Sequence, residues 1–267
     1  MDFFEIFKES LKFPIKDFKW LLLGVFLVLA NIGYVLVQLG IGNNGIVATI
    51  SLIIVVIFSL IVYGYLFSIV KTTINKSDEF PEFNILNNFV DGIKIIIVTI
   101  VYNIIPAIIS CFLLAIPFAE ILATNSKTLL ALNSSANNPA VITELVNKIL
   151  TPEVAATFLI VVIISLILFI IFTLLETVAV ARLADKGNFG SAFAIKEVWR
   201  TISQIGWGRY IAWYILMIII SFIIMIIFGI VGLMPYFGLI IAYLIIFSFM
   251  AIFNARSLGL IYNEKDN

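Results

Sequence analysis

The chain has 267 residues, of which 63% are hydrophobic and 12% are charged. Soluble domains are roughly 45–50% apolar and about 25% charged, so this composition excludes a water-soluble fold and indicates an integral membrane protein. The 16 basic and 16 acidic residues give no net charge, and we expect no nucleic-acid partner.

Two residue types that carry much of enzyme chemistry are scarce. The chain has no His and a single Cys, Cys111, which lies in the apolar run SCFLLAI. A Cys/His zinc site and a His general base are therefore excluded. No nucleotide-binding loop, HExxH, GxSxG or CxxC motif occurs. We expect a protein that is not an enzyme and has no cofactor or metal, with only a carboxylate-only cation site left open.

The N-terminal segment, residues 1–18, is amphipathic. Phe3, Phe4, Phe7 and Leu11 recur at helical spacing between charged residues. This pattern predicts a short helix that lies in the headgroup region or packs under the bundle, and both alternatives stay open. Pro14 is expected to end or bend it.

Long apolar runs occupy most of the remaining chain. We predict an all-α fold, a polytopic integral membrane helical bundle that forms a single membrane domain over residues 1–267. The predicted transmembrane helices are 20–40, 46–70, 93–122, 154–183, 208–233 and 236–255. Pro106 and Pro117 lie inside the third span and are expected to kink or break it.

The loops between these spans are of two kinds. Residues 79–92 and 188–205 interleave apolar and charged side chains, which favours further amphipathic segments at the cytoplasmic face. Residues 123–152 form the predicted outer loop. Within it, Asn138-Pro139 is typical of a helix start, and a short surface helix follows.

The positions of the basic residues predict sidedness. All 16 Lys and Arg residues except Lys127 and Lys148 fall in the N-terminal segment, in the loops after the second and fourth spans, or in the tail. Under the positive-inside rule, both termini lie in the cytoplasm and the protein is a multi-pass protein of the cell membrane. On the outer loop, Asn133-Ser134-Ser135 fits the acceptor pattern for N-glycosylation, so Asn133 is a candidate modification site.

Polar residues inside predicted spans are the candidate functional residues. They are Glu176, Asn31, Asn103 and Asn254, with Glu120 near the outer end of its span. An intramembrane carboxylate relays protons, binds a cation, anchors at the interface or forms a hydrogen bond between helices. Glu176 is close enough to Arg182 in sequence to act as an interfacial anchor. The three Asn side chains favour hydrogen bonds between helices over a binding site.

The central stretch resembles a known family. GYLFSIVKTTINKSDEFPEFNILNNFVDGIKIIIVTIVYNIIP carries the Gly64-Tyr65 span exit, the Glu79–Phe83 run, the Phe89–Gly92 start and Ile105-Pro106. These features are similar to the archaeal multi-pass membrane family called domain of unknown function 4013. The N-terminal KFPIKDFKW and the tail ARSLGLIYNE resemble the ends of that family. The resemblance implies a membrane protein and transfers no active site.

Two functions from different classes follow from these observations. The first is a non-enzymatic membrane component that binds membrane lipids or other membrane proteins through its amphipathic segments. The alternative is a small-solute or ion transporter or channel-like protein that uses Glu176. Convergence of Glu176, Asn31 and Asn254 on one cavity would favour transport.

Overall fold

The structure, a computed structural model, describes residues 3–41, 45–128, 130, 139–149 and 151–266. It is 89% helical, with no strand among these residues. The helices are α1 (Phe3–Lys12), α2 (Lys19–Ala30), α3 (Ile32–Gln38), α4 (Gly45–Ile74), α5 (Ile85–Thr124), α6 (Pro139–Ile149), α7 (Pro152–Lys186), α8 (Ile195–Ile205), α9 (Trp207–Gly232) and α10 (Gly238–Asp266).

Five described helices, α4, α5, α7, α9 and α10, are long and apolar enough to cross a membrane. The bent pair α2 and α3 makes a sixth if it is counted as one span. The predicted all-α membrane bundle with about six transmembrane helices is therefore confirmed.

The chain divides into two compact units. The larger unit comprises Met1–Thr99 and Leu175–Asn267, and the smaller unit comprises Ile100–Leu174. Each of the long helices α5 and α7 therefore contributes to both.

Glycines allow the helices of the larger unit to pack closely. A Cβ added at Gly64 in α4 would lie 1.7 Å from the Asn88 carbonyl oxygen, and one at Gly92 in α5 would lie 1.9 Å from that of Leu60. Gly24 in α2 meets the backbone of Leu244, which lies in a π-helical part of α10. Small residues at such crossings let helix backbones approach, which gives helices in lipid the contacts that hold them together.

The first predicted span is bent. The axes of α2 and α3 differ by 72°, and Asn31 lies between them with φ −124° and ψ 21°. The Asn31 side-chain amide donates to the Leu27 carbonyl at 2.9 Å. Asn31 therefore bonds to the helix that precedes it, whereas we expected a hydrogen bond to a neighbouring helix. Asn side chains compete with backbone hydrogen bonds in this way, which accounts for the bend.

The third predicted span lies in a longer helix than expected. α5 runs unbroken through Pro106 and Pro117, and residues 85–92 form its first turns instead of a separate interfacial segment. A proline has no N–H to donate, so one carbonyl oxygen in the preceding turn loses its partner. In a membrane protein, neighbouring helices and side chains can supply another partner, so the helix continues where a soluble one would end.

The smaller unit has its own apolar cluster. Ile121, Ile149 and Val154 are buried together, and Phe158 packs against them. Phe118 meets Phe158 edge to face with ring centroids 5.4 Å apart. Helix α6, which includes Ile149, is therefore fixed to α5 and α7 by its apolar face.

Candidate functional site

Arg256, in α10, is the centre of a buried ionic cluster in the larger unit. Its side chain is 4% exposed. The guanidinium donates to Glu9 Oε1 at 2.5 Å and to Asp78 Oδ1 at 2.9 Å. It also donates to the Ser77 carbonyl oxygen at 2.7 Å and to Thr73 Oγ1 at 3.3 Å. One side chain thereby joins α1, the end of α4, the loop before α5, and α10.

Aromatic rings complete the Arg256 cluster. The guanidinium carbon lies 4.5 Å from the centroid of the Phe13 ring, and that ring stacks on Phe80 at 4.5 Å. A weakly hydrated, planar guanidinium suits this position because it stacks on a ring while its edges donate to carboxylates. Lys16 forms an ion pair with Asp78 on the solvent-exposed side of the cluster.

Asp78 stays ionised in this cluster. The hydrogen bond from Lys16 is the largest cause that lowers the pKa of Asp78 below its usual 3.8. Partial burial opposes the lowering, and the charges of Lys16 and Arg256 add to it. Asp78 therefore carries its negative charge at neutral pH.

A second ionic group fixes the C-terminal tail. Asp185 accepts from the Tyr262 hydroxyl at 3.0 Å and from Lys265 Nζ at 2.7 Å. Arg209, in the first turn of α9, pairs with Glu264 at 2.7 Å, and its guanidinium carbon lies 5.5 Å from the Phe3 ring centroid. The tail, α1 and the start of α9 therefore meet at the same end of the larger unit as Arg256.

Helix α1 lies across this end with one face buried. Its buried residues are Ile6, Phe7 and Ser10, and Phe7 packs on Phe253 of α10 at 6.4 Å. The opposite side exposes Phe4, Glu5, Lys8, Leu11 and Lys12. The two lysines make no ion pair with the described residues. Apolar and mainly basic side chains therefore share one outward face.

Helix α8 repeats this division of faces. Val198, Thr201, Ile202 and Ile205 are buried, and Arg182 donates to Thr201 at 2.9 Å. The outward side carries the exposed residues Lys196, Glu197, Trp199 and Arg200. Trp199 lies 4.5 Å from Trp207, whose indole N–H donates to Ser203. Trp side chains of this kind are typical of a membrane–water interface.

In the larger unit, no hydrogen bond among the described residues joins Glu176, Asn31 and Asn254. Thr99 Oγ1 donates to Glu176 Oε1 at 2.6 Å, so the carboxylate bridges α5 and α7 within the larger unit. Asn31 is at the bend. The Asn254 side-chain oxygen in α10 is buried and accepts no hydrogen bond from the described residues. Asn103 belongs to the smaller unit, and Asn133 lies outside the described residues.

Glu120 is exposed, and Thr124 donates to its backbone carbonyl, not to its carboxylate. No group of three or more acidic or Cys residues suited to a metal ion occurs among the described residues. The cleft that Asn31 lines has neither Glu176 nor Asn254 in its lining.

Sequence reasoning missed the Arg256 cluster. Neither Arg256 nor Asp78 was among the candidate functional residues. The available signal was the position of Arg256 one helical turn before Leu260 and Ile261, where apolar side chains on both sides oblige a cation to find partners.

Comparison with known proteins gives one match. A family model described as "Protein of unknown function (DUF4013)" matches residues 47–233. No curated protein and no solved structure matches the chain. The match includes the central stretch from Gly64 to Pro106, which confirms the resemblance seen there, whereas the two ends of the chain lie outside it. Since the match covers well over half of the sequence, the chain belongs to the DUF4013 family.

Proposed function

We propose that this protein is a non-enzymatic component of the cell membrane, with both termini in the cytoplasm, and that it binds anionic lipid headgroups. The observation that carries the proposal is the outward face of α1, where Phe4 and Leu11 alternate with Lys8 and Lys12 while the other face packs on the helices. The outer side of α8 has the same composition.

The physical argument rests on the position of these faces. Apolar side chains exposed at the end of a membrane-spanning bundle are stabilised when they leave water for the headgroup region. Basic residues beside them attract anionic lipids by about 1 kcal/mol each. Glu9 and Asp78, two acids at this end, pair with Arg256 and therefore do not neutralise the lysines of α1. With Glu5 also exposed, the outward face of α1 carries two basic residues and one acidic residue, so it stays basic.

Mass spectrometry of the protein purified gently from its membrane, scoring lipids and proteins together, tests the proposal. We expect enrichment of one anionic lipid class. Two double variants, Lys8→Gln with Lys12→Gln and Lys196→Gln with Arg200→Gln, should each reduce it. The matched control is Lys127→Gln with Lys148→Gln, which removes equal charge at the predicted outer side and should leave the enrichment unchanged.

Two outcomes would contradict lipid binding. One is equal enrichment in all three double variants. The other is co-purification of a second protein in stoichiometric amount while the lipids are present in their bulk proportions. That result would favour other membrane proteins as the partners of α1 and α8.

A second candidate, transport of an ion or small solute, is supported by the intramembrane carboxylate of Glu176 and its bond to Thr99. Glu176→Gln keeps the shape and removes the charge, so it should abolish flux into vesicles that contain the purified protein. Unchanged flux in this variant would exclude Glu176 from any transport.

A further inference from the structure

The bend between α2 and α3 opens a cleft on the side of the larger unit. The cleft has a volume of about 370 Å³. One wall comes from the bend and α3 and the other from the first turns of α4. Small and apolar residues line it, among them Ala30, Gly33, Val37, Ala48, Ser51 and Val55.

The depth of the cleft places it among lipid tails. Asn31 is twelve residues beyond Lys19, which is about 18 Å along a helix axis. Lys19 lies close to the ionic end, because its neighbour Lys16 pairs with Asp78. A hydrocarbon core is about 30 Å thick, so the cleft lies beyond the midplane. Its rim continues into side chains that face outward from α3 and α4, such as Tyr34 and Leu52.

The walls of the cleft are held in place. The Gln38 side-chain amide donates to the backbone oxygens of Gly232, at 2.8 Å, and Met234, at 3.0 Å, and its oxygen accepts from the Leu239 N–H at 3.1 Å. These three bonds fix the end of α3 to the turn between α9 and α10. The α3 wall of the cleft is therefore held in place by the protein itself and not by an occupant.

We propose that this cleft binds one hydrocarbon tail of a membrane phospholipid. Water is a poor occupant because apolar cavities stay dry and take apolar guests. The lining offers few polar groups, and the amide of Asn31 is already bonded to Leu27. A tail is the molecule that the surrounding bilayer supplies at this depth. Fixed walls on two sides give that tail dispersion contacts that lipid at an open helix surface lacks.

Native mass spectrometry tests this proposal on protein taken from vesicles of dioleoylphosphatidylcholine and washed with increasing detergent. We expect wild-type protein to retain one lipid after the bulk lipid is gone. Gly33→Leu should fill the cleft without a clash, because a Cβ at Gly33 meets nothing within 4 Å. Loss of about two methylene contacts would lower retention about tenfold. Ala48→Phe, on the opposite wall, should lower lipid retention as Gly33→Leu does.

The matched control is Gly229→Leu in α9, where a Cβ also meets nothing within 4 Å. It should retain lipid as the wild type does. Anionic lipid with the same tails should show the same loss of one retained lipid between the wild type and Gly33→Leu, because this site recognises the tail. That result separates it from the headgroup proposal, which depends on charge and fails or holds independently.

A second measurement does not depend on filling the cleft. With the four native tryptophans replaced by phenylalanine, a tryptophan introduced by Tyr34→Trp at the rim of the cleft should stay quenched by brominated tails after exchange into unbrominated lipid. A tryptophan introduced by Ile53→Trp, on an exposed part of α4, should recover its fluorescence. Three results would each overturn the proposal. They are no retained lipid in the wild type, retention in Gly33→Leu and Ala48→Phe equal to that of the wild type, and equally fast recovery of fluorescence at both tryptophans.

Discussion

Arg256 shows how a single charge organises a membrane protein at its aqueous end. Burying a guanidinium is costly unless its donors are satisfied and its charge is balanced. Glu9 and Asp78 balance it, and the Phe13 ring covers one face. Because these partners come from distant parts of the sequence, they are held together only when α1, the loop and α10 are all in place.

We expect Arg256→Gln to destabilise the protein by about 3 kcal/mol, the low end for breaking a buried pair, since Asp78 is 61% exposed. Arg256→Lys should restore only part of this because an ammonium lacks the forked donors. Thermal unfolding in detergent, followed by tryptophan fluorescence, measures the effect. Arg200→Gln, an exposed change of the same kind, is the control, and equal midpoints for the two would contradict the role of Arg256.

Asp78 gives the same end of the protein an acid dependence. Its pKa is lowered, chiefly by the hydrogen bond from Lys16. A lowered pKa in the folded state adds stability that is complete above the usual value of 3.8 and is lost as the pH falls through the lowered value. Below about pH 4, the unfolding temperature of the wild type should therefore fall more steeply than that of Asp78→Asn. Parallel curves would exclude this contribution.

At the scale of elements, the helix pair α4 and α5 depends on close approach. Gly64 and Gly92 each face a backbone carbonyl of the other helix with no room for a methyl group. Backbone atoms cannot move aside as a flexible side chain can, so the two helices would have to separate. The hydrogen bond from Ser68 to Asn88 and the packing around Gly64 would be lost with that movement.

We therefore expect Gly64→Ala to cost about 3 kcal/mol, at the upper end for overpacking, although Ala favours a helix more than Gly does. Gly229→Ala, which meets nothing within 4 Å, should be neutral or slightly stabilising. Resistance to proteolysis and the unfolding midpoint in detergent compare the two. A stable Gly64→Ala protein would mean that α4 and α5 are less closely packed.

At the scale of the whole molecule, the apolar runs predicted the helices well because backbone hydrogen bonds in lipid must be satisfied within a helix. The bend at Asn31 was not predicted, because a single polar residue within an apolar run is compatible with a straight membrane-spanning helix. The Arg256 cluster escaped for another reason. Its members Glu9, Asp78 and Arg256 are far apart in sequence, and no local pattern shows which charges meet.

The orientation of the chain is the prediction that joins these scales. The contacts of Arg256, Arg209 and Asp185 hold α1, the tail and the end of α7 together, and Arg182 of α7 binds Thr201 of α8 at the same end. The scarcity of basic residues between α5 and α7 predicts that this end is cytoplasmic. In a Cys111→Ser background, an impermeant maleimide should label Lys127→Cys in intact cells. It should label Lys12→Cys and Lys196→Cys only after permeabilisation. A cytoplasm-dependent reporter fused after Asn267 should be active. Labelling of Lys12→Cys and Lys196→Cys from opposite sides would contradict the arrangement of the larger unit, whereas labelling of both from outside would reverse the orientation and leave the packing intact.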